Sequence, residues 1–302
     1  MIVVAGEALI DLVPHLDRGP LAPLVPKPGG GPYNTAIALG RLGEPTAFLS
    51  RISRDAFGQE LLEGLRAAGV DVSHVQRGDE PTPLALAALG PDGSARYSFH
   101  VEGTADRLFT APAELPQGTR AMAFGTCSLV LEPGASAYEE LLHRAHAHGV
   151  CTALDPNIRP DLMPDAGAYR SRLRSWLPGT TLLKVSQEDL DWLGDDPGFW
   201  LGLGPAAVVV TRGGEGLSVL TRVGEVSVPV VPVPVADTIG AGDTVNAALL
   251  HQLSVHNALG AEAMAALDEQ HWRDILGFAA RAAAVTVSRV GAEPPYAREL
   301  AG

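Results

Sequence analysis

Positive charge is scarce in this chain of 302 residues: 22 Lys and Arg stand against 35 Asp and Glu, for a net charge of −13. No basic run or stripe offsets that acidity, which argues against a nucleic-acid partner and against anionic membrane surfaces. Cysteine is nearly missing as well. Cys127 and Cys151 lie in or beside apolar strand-like runs. They read as buried free thiols, and the chain as cytoplasmic. No stretch reaches the ~18 apolar residues a spanning helix needs, so none is expected. The opening MIVVAGEALIDLV has no basic leader and reads as a first strand, not a signal peptide. Two nucleotide motifs are absent. Without Gly-x-x-x-x-Gly-Lys-Ser/Thr there is no Walker-type site, and without Gly-x-Gly-x-x-Gly after the first strand a dinucleotide oxidoreductase is disfavoured. His143, His146 and His148 share one helical stretch but lack a metal spacing with a third ligand, so they read as a solvated face.

What is present is alternation. Short apolar runs such as IVVAG (2–6), AFLSRI (47–52), AMAFG (121–125), VCTALD (150–155), TLLKV (181–185) and AAVVVTR (206–212) are followed by amphipathic helical patterns. Ser186 is placed to cap the helix after TLLKV. Near-continuous apolar strands are those of a sheet covered on both faces. The expected fold class is therefore α/β, with a doubly wound, mostly parallel central sheet and helices on both faces. No repeat or linker interrupts it, so residues 1–302 read as one domain. Two regions depart from the alternation, about 10–20 and 82–104. The second holds two strand-like runs around Pro91-Asp92-Gly93, a hairpin signal. Together they predict a small β lid. LSVLTRVGEVSVPV (217–230) reads as a hairpin around Gly224, and HWRDILGFAARAAAVTVSRV (271–290) as the last long helix.

The chemistry concentrates in Asp237-Thr238-Ile239-Gly240-Ala241-Gly242-Asp243. These residues follow the strand-like VSVPVVPVPVA and precede the helical TVNAALLHQL. A small-residue turn opening a helix aims free backbone N–H groups at one point, which suits an anion. Asp243 closes the turn beside that point and is placed to take a proton from an attacking hydroxyl. This arrangement suits phosphoryl transfer to an alcohol. At the start of a helix the local dipole favours its ionised form. A second cluster, Gly29-Gly30-Gly31-Pro32-Tyr33-Asn34, lets backbone approach a ligand closely, with Asn34 either capping the next helix or holding a ligand hydroxyl.

With GGGPYN early, DTIGAGD late, and GEALIDLV, DPNIR, VTRGGEG and RVGAEPP between and around them, the whole chain resembles the ribokinase, or PfkB, family of sugar kinases. The resemblance implies a ribokinase-like fold, ATP and Mg²⁺ as cofactors, and a small-molecule sugar substrate. It makes Asp243 the general base and Gly240, Ala241 and Gly242 the anion hole. Asp11, Gly30, Gly31, Asn34, Tyr97 and Arg159 become the sugar site. Lys184, Glu188, Thr211, Gly213 and Gly216 fall on the nucleotide side, with Arg212 as a weaker phosphate contact. Glu188 would order Mg²⁺ through water, although Ser186 stands where the family often has Asn. Asp237, Ile239, Ser288 and Gly291 match positions that hold a monovalent cation, K⁺, in some relatives. A homodimer through the lid's strand edges is compatible with the pattern.

DPNIR, GEALIDLVP and TADRL (104–108) are similar to fructokinases, so fructose is the expected acceptor. The alternative is 2-keto-3-deoxygluconate, whose kinases tend to place Arg and Tyr near the lid. Here the lid reads RYSFH, with Tyr97 present and His100 where an Arg is sought. The reading from another class is a catalytically silent sugar- or nucleotide-binding protein on the same fold. The intact turn and its carboxylate disfavour it.

Overall fold

The computed structural model describes residues 1–14, 23–89, 95–163 and 165–301. The chain opens with β1 (Ile2–Ala5), β2 (Leu9–Pro14), β3 (Leu24–Gly29), α1 (Gly31–Arg41), β4 (Thr46–Leu49), β5 (Arg51–Ser53), α2 (Ala56–Ala67) and β6 (Gln76–Gly78). Then come β7 (Leu84–Leu89), β8 (Ala95–His100), β9 (Ala121–Gly125), α3 (Gly134–Ala147), β10 (Cys151–Asp155), α4 (Ala166–Trp176), β11 (Leu182–Ser186) and α5 (Gln187–Leu193). It continues through α6 (Pro197–Leu203), β12 (Ala207–Thr211), β13 (Leu217–Thr221), β14 (Gly224–Val228), α7 (Ala241–Val255), α8 (Ala261–Ala265), α9 (Glu269–Val287) and α10 (Ala297–Leu300).

Eight of these strands form one sheet in the order β14-β13-β12-β11-β10-β9-β1-β4. The six from β12 to β4 run parallel, and the β13–β14 hairpin closes one edge antiparallel. The period of two along each strand divides the core. Ile2 and Val4 join the cluster under α1, α2, α7 and α9, whereas Val3 and Ala5 join the one under α3, α4 and α6. Both faces are therefore buried, which is why these strands read as unbroken apolar runs. The carboxyl ends of the parallel strands share one rim, where ligands gather in open α/β sheets.

A separate four-stranded sheet, β3-β2-β7-β8, draws β2, β7 and β8 from the two regions that broke the alternation and β3 from beyond them. The expected turn at Pro91-Asp92-Gly93 and the stretch 15–20 lie outside the described residues. β3 escaped the sequence reading because it contains Pro26 and Pro28. As an edge strand bonded only to β2, it tolerates residues without an N–H. Two other readings are corrected. AFLSRI is not one strand: the chain leaves the main sheet after Leu49, and Arg51–Ser53 pairs with β6 instead. VSVPVVPVPVA is strand only to Val228. Pro229, Pro232 and Pro234 then remove ladder donors, and the segment runs on without strand pairing until Ala236 donates to Val287 O at 2.8 Å.

Cys127 and Cys151 are buried free thiols. Among the described residues, no helix is long and apolar enough to cross a membrane.

Candidate active site

The turn before α7 has the geometry its residue types demand. Gly240 is left-handed (φ 76°), and a Cβ there would lie 2.6 Å from that of Ala292. Asp237 braces the turn. One oxygen accepts from Ile239 N (3.1 Å) and the other from Gly291 N (2.9 Å). The Ala241 N–H makes one long bond, 3.3 Å, to Thr238 O. Among the described residues, the N–H groups of Gly240, Gly242 and Asp243 have no backbone partner. They form an anion-seeking cluster at a helix N-terminus.

Asp243 sits in the first turn of α7 and is 9% exposed. Its Oδ2 accepts from Asn34 Nδ2 at 2.8 Å. Its Oδ1 faces Gly31 and lies 3.3 Å from where a Gly31 Cβ would stand. Burial pushes its carboxyl up to about 7, with the Asp155 charge acting in the same sense. The Asn34 amide, Lys184 and Arg159 pull it down. Desolvation thus opposes the ionised form that a helix start would favour. A carboxylate titrating near neutrality is well matched to proton abstraction.

Asn34 does not cap α1. That place belongs to Gly30 (φ 104°), and Asn34 instead lies one turn inside the helix, facing α7. A Cβ on Gly30 would come 2.9 Å from Glu7 O, and one on Gly29 would strike the Asp11 carboxylate. The GGG run is therefore bare because the small sheet and the acid packs directly on it. Asp11, on β2, is held up at about 6 by burial, with Arg159 drawing it down. Burial also raises the Tyr97 phenol, which feels Asp11 and Arg159. Asp11, Tyr97 and Arg159 thus share one neighbourhood on the side of the small sheet.

Several contributors were not singled out from the sequence. Asn157 (φ 39°) and Thr126 (φ 56°) are left-handed without being glycine. Arg159 Nη1 donates to Asn157 Oδ1 at 2.7 Å. Asp155, at the end of β10, pairs with Lys184 (2.7 Å), both deeply buried. The lysine ammonium lies 3.1 Å from the point a Gly242 Cβ would occupy, so it is committed to Asp155 beneath the turn and is not free at the surface. The motif DPNIR held Asp155 and Asn157 in plain sight, but their partners lie on other elements.

Of the remaining nucleotide-side residues, Glu188 is exposed in the first turn of α5. Ser186 caps that helix in a capping box with Asp189, which also accepts from Ile158 N at 2.7 Å. Thr211, Gly213 (φ 50°) and Gly216 (φ 102°) shape the turn after β12. Arg212 Nη1 donates to Ser218 Oγ at 2.5 Å. A cavity of about 280 Å³ lies between the segment leading to Asp237, α9 and α10. Val231, Val233, Ala284 and Val285 give it an apolar wall, and Arg281, Ser288, Glu299 and Leu300 complete it. Only Ser288 among these was anticipated. Its hydroxyl donates to Val285 O (2.8 Å), while Asp237 joins Gly291. Asp237, Ile239 and Gly291 are thereby tied together, with both Asp237 oxygens bonded to amides.

Comparison with known proteins agrees with this geometry. The family profile described as pfkB family carbohydrate kinase matches residues 1–298. A fructokinase of Rhizobium leguminosarum bv. trifolii is 41% identical over 91% of this chain and 86% of its own. A probable fructokinase-3 of Arabidopsis thaliana is 32% identical over 99% and 89%. The crystal structure of a fructokinase from Xylella fastidiosa with bound ATP superposes with a TM-score of 0.89 at 28% identity, covering 99% of this chain and 97% of that one.

Proposed function

Because the chain belongs to the pfkB family of carbohydrate kinases, we propose that it phosphorylates fructose with ATP at the rim around Asp243. The carrying observation is a buried carboxylate with one oxygen held by Asn34 and the other directed at Gly31, beside unpartnered helix N-terminal amides.

In this reading Asp243 Oδ1 takes the proton of the acceptor hydroxyl. The sugar oxygen forms a bond to the γ-phosphorus as the bond to the ADP oxygen breaks. The amides of residues 240–243 bear the charge that develops on the transferred group. Asp11 accepts two sugar hydroxyls, Tyr97 closes over them, and Asn157 Nδ2 lies beside the reacting hydroxyl. Asp11 feels the charge of Arg159, and a carboxylate sharing the site with that guanidinium favours a neutral polyol over a sugar acid. The nucleoside of ATP takes the 280 Å³ cavity, whose apolar wall suits a base face. Glu188 is an exposed carboxylate in the first turn of α5, and it suits Mg²⁺, which commonly takes one or two carboxylates plus substrate phosphates. When bound, that ion would neutralise phosphate charge. The carbonyls near Asp237, Ile239, Ser288 and Gly291 are the candidate K⁺ ligands. Edge strands β3 and β8 are open to a second copy, and the protein is assigned to the cytoplasm.

ADP release measured over a panel including fructose, ribose and 2-keto-3-deoxygluconate tests the proposal. Highest kcat/KM with fructose supports it. Preference for the keto acid would replace fructose with that substrate, and binding without turnover would leave a silent sugar-binding protein.

A further inference from the structure

Thr126 is out of place by every local rule. A β-branched side chain resists the left-handed backbone, yet Thr126 has φ 56° at the end of β9. Such conformations persist only where surrounding groups enforce them. The group that bonds its side chain is Glu7. It is 2% exposed, on the loop after β1. Its Oε1 accepts a short hydrogen bond from the Thr126 hydroxyl, and its Oε2 accepts from Ser128 N at 3.0 Å. The Ser128 hydroxyl in turn donates to Gly125 O at 2.6 Å and closes the turn. No other described group uses the Glu7 carboxylate, and the phosphoryl-transfer steps above do not need it.

What this arrangement presents to the site is the Thr126 methyl. The position a Cβ on Gly31 would take is 2.8 Å from Thr126 Cγ2, 3.3 Å from Asn157 Nδ2 and 3.3 Å from Asp243 Oδ1. A methyl, an amide donor and the free oxygen of the base therefore converge on one small volume. Two of the three come from left-handed, non-glycine residues at the ends of neighbouring strands. Gly31, Thr126 and Asp243 also line one small cavity that reaches inward to Val4 and Asn246.

We propose that Glu7 is a positioning residue of the acceptor pocket: it locks Thr126 in the left-handed conformation that sets the threonine methyl against the reacting hydroxyl, leaving Asp243 Oδ1 and Asn157 Nδ2 as the polar directions open to it. This rests on the acceptor pocket lying beside Gly31. The methyl acts as a wall. It limits the rotation of the bound hydroxyl and occupies space that water would otherwise take, and water is a competing acceptor.

A double-mutant cycle tests this, using Glu7→Gln, Thr126→Ser, Thr126→Gly and Glu7→Gln combined with Thr126→Gly. Each variant is assayed for fructose and ATP kinetics, sugar-independent ATP hydrolysis and thermal unfolding. Thr126→Ser keeps the hydroxyl held by Glu7 and loses only the methyl. It is expected to lower kcat/KM for fructose about 5–20-fold and to raise ATP hydrolysis relative to sugar phosphorylation, with KM for ATP and Tm little changed. Glu7→Gln is expected to lower kcat/KM for fructose at least tenfold in the native background but less than twofold on Thr126→Gly, because glycine adopts φ 56° unaided and has no methyl to place. Equal losses in both backgrounds would make Glu7 merely structural and overturn the proposal, as would an unchanged Thr126→Ser. If wild type turned over no sugar, the functional reading would fail first. The proposal fails by itself when wild type is active and the cycle is additive.

Discussion

Removing the amide of Asn34 should move the pH dependence of the enzyme in a calculable direction. Asn34 Nδ2 donates to Asp243 Oδ2 at 2.8 Å inside a buried site, and it supports the ionised carboxylate against a burial that drives the group up to about 7. A hydrogen bond to a charged group contributes about 1.5–3 kcal/mol. At roughly 1.4 kcal/mol per pKa unit, its loss in Asn34→Ala should raise the base by about 1–2 units. For wild type, kcat should fall tenfold per pH unit below about 7. The fall in kcat/KM should steepen below about 6, where Asp11 also protonates. For Asn34→Ala the kcat limb should lie at about 8–9, so that activity at pH 7 is down roughly 5–50-fold and is regained by about pH 9.5. Initial rates of ADP release between pH 5.5 and 9.5, at saturating fructose and ATP, measure this directly. A variant whose limb coincides with that of wild type, or whose loss is the same at every pH, would show that Asn34 does not set the ionisation of the base.

Three further outcomes follow from the same geometry. Asp243→Asn should abolish most turnover yet stabilise the protein at pH 8. A carboxyl raised from 3.8 to about 7 favours folding at low pH and loses that contribution as pH rises through 7, by on the order of 4 kcal/mol. Calorimetric Tm differences should therefore be largest at pH 8 and shrink toward pH 4; a gap that grows on acidification contradicts this. Gly31→Ala should lower kcat/KM for fructose at least tenfold while sparing KM for ATP, since its Cβ falls 2.8 Å from Thr126 Cγ2 and 3.3 Å from Asp243 Oδ1. Val285→Trp should fill the 280 Å³ cavity and raise KM for ATP at least tenfold with KM for fructose unchanged, and titration calorimetry with the nucleotide reports it independently.

Local chemistry made the sheet, the hairpin at Gly224 and the turn around Gly240 legible in the sequence. Apolar runs, small residues and a capping serine act through their immediate neighbours, and Ser186 caps where its side chain and position require. The site was legible in its residue types but not in its pairings. Asn34 and Asp243 are 209 positions apart, and nothing near either one announces the other. Thr126 and Glu7 gave no signal at all, because a left-handed threonine is imposed by a tertiary contact against its own preference. β3 and the segment after β14 misled in opposite senses. Pro26 and Pro28 hid a real edge strand, whereas the valines of VPVVPVPVA imitated one where the prolines forbid a ladder.

Helix α1 has a mechanical consequence. It is a rod of about 16 Å, and one turn in from its start Asn34 bonds the Asp243 carboxylate. At its far end Arg41 bonds Glu293 and Pro294 O, both at 2.8 Å, and lies over the Tyr296 ring. From there the chain runs to Leu300 in the wall of the second cavity. One stiff strut thus joins the carboxylate at the head of α7 to the segment that leads to that cavity, and in the proposed reading it links the two ligands. Whatever factor by which sugar alters the hold on nucleotide, nucleotide must return to sugar.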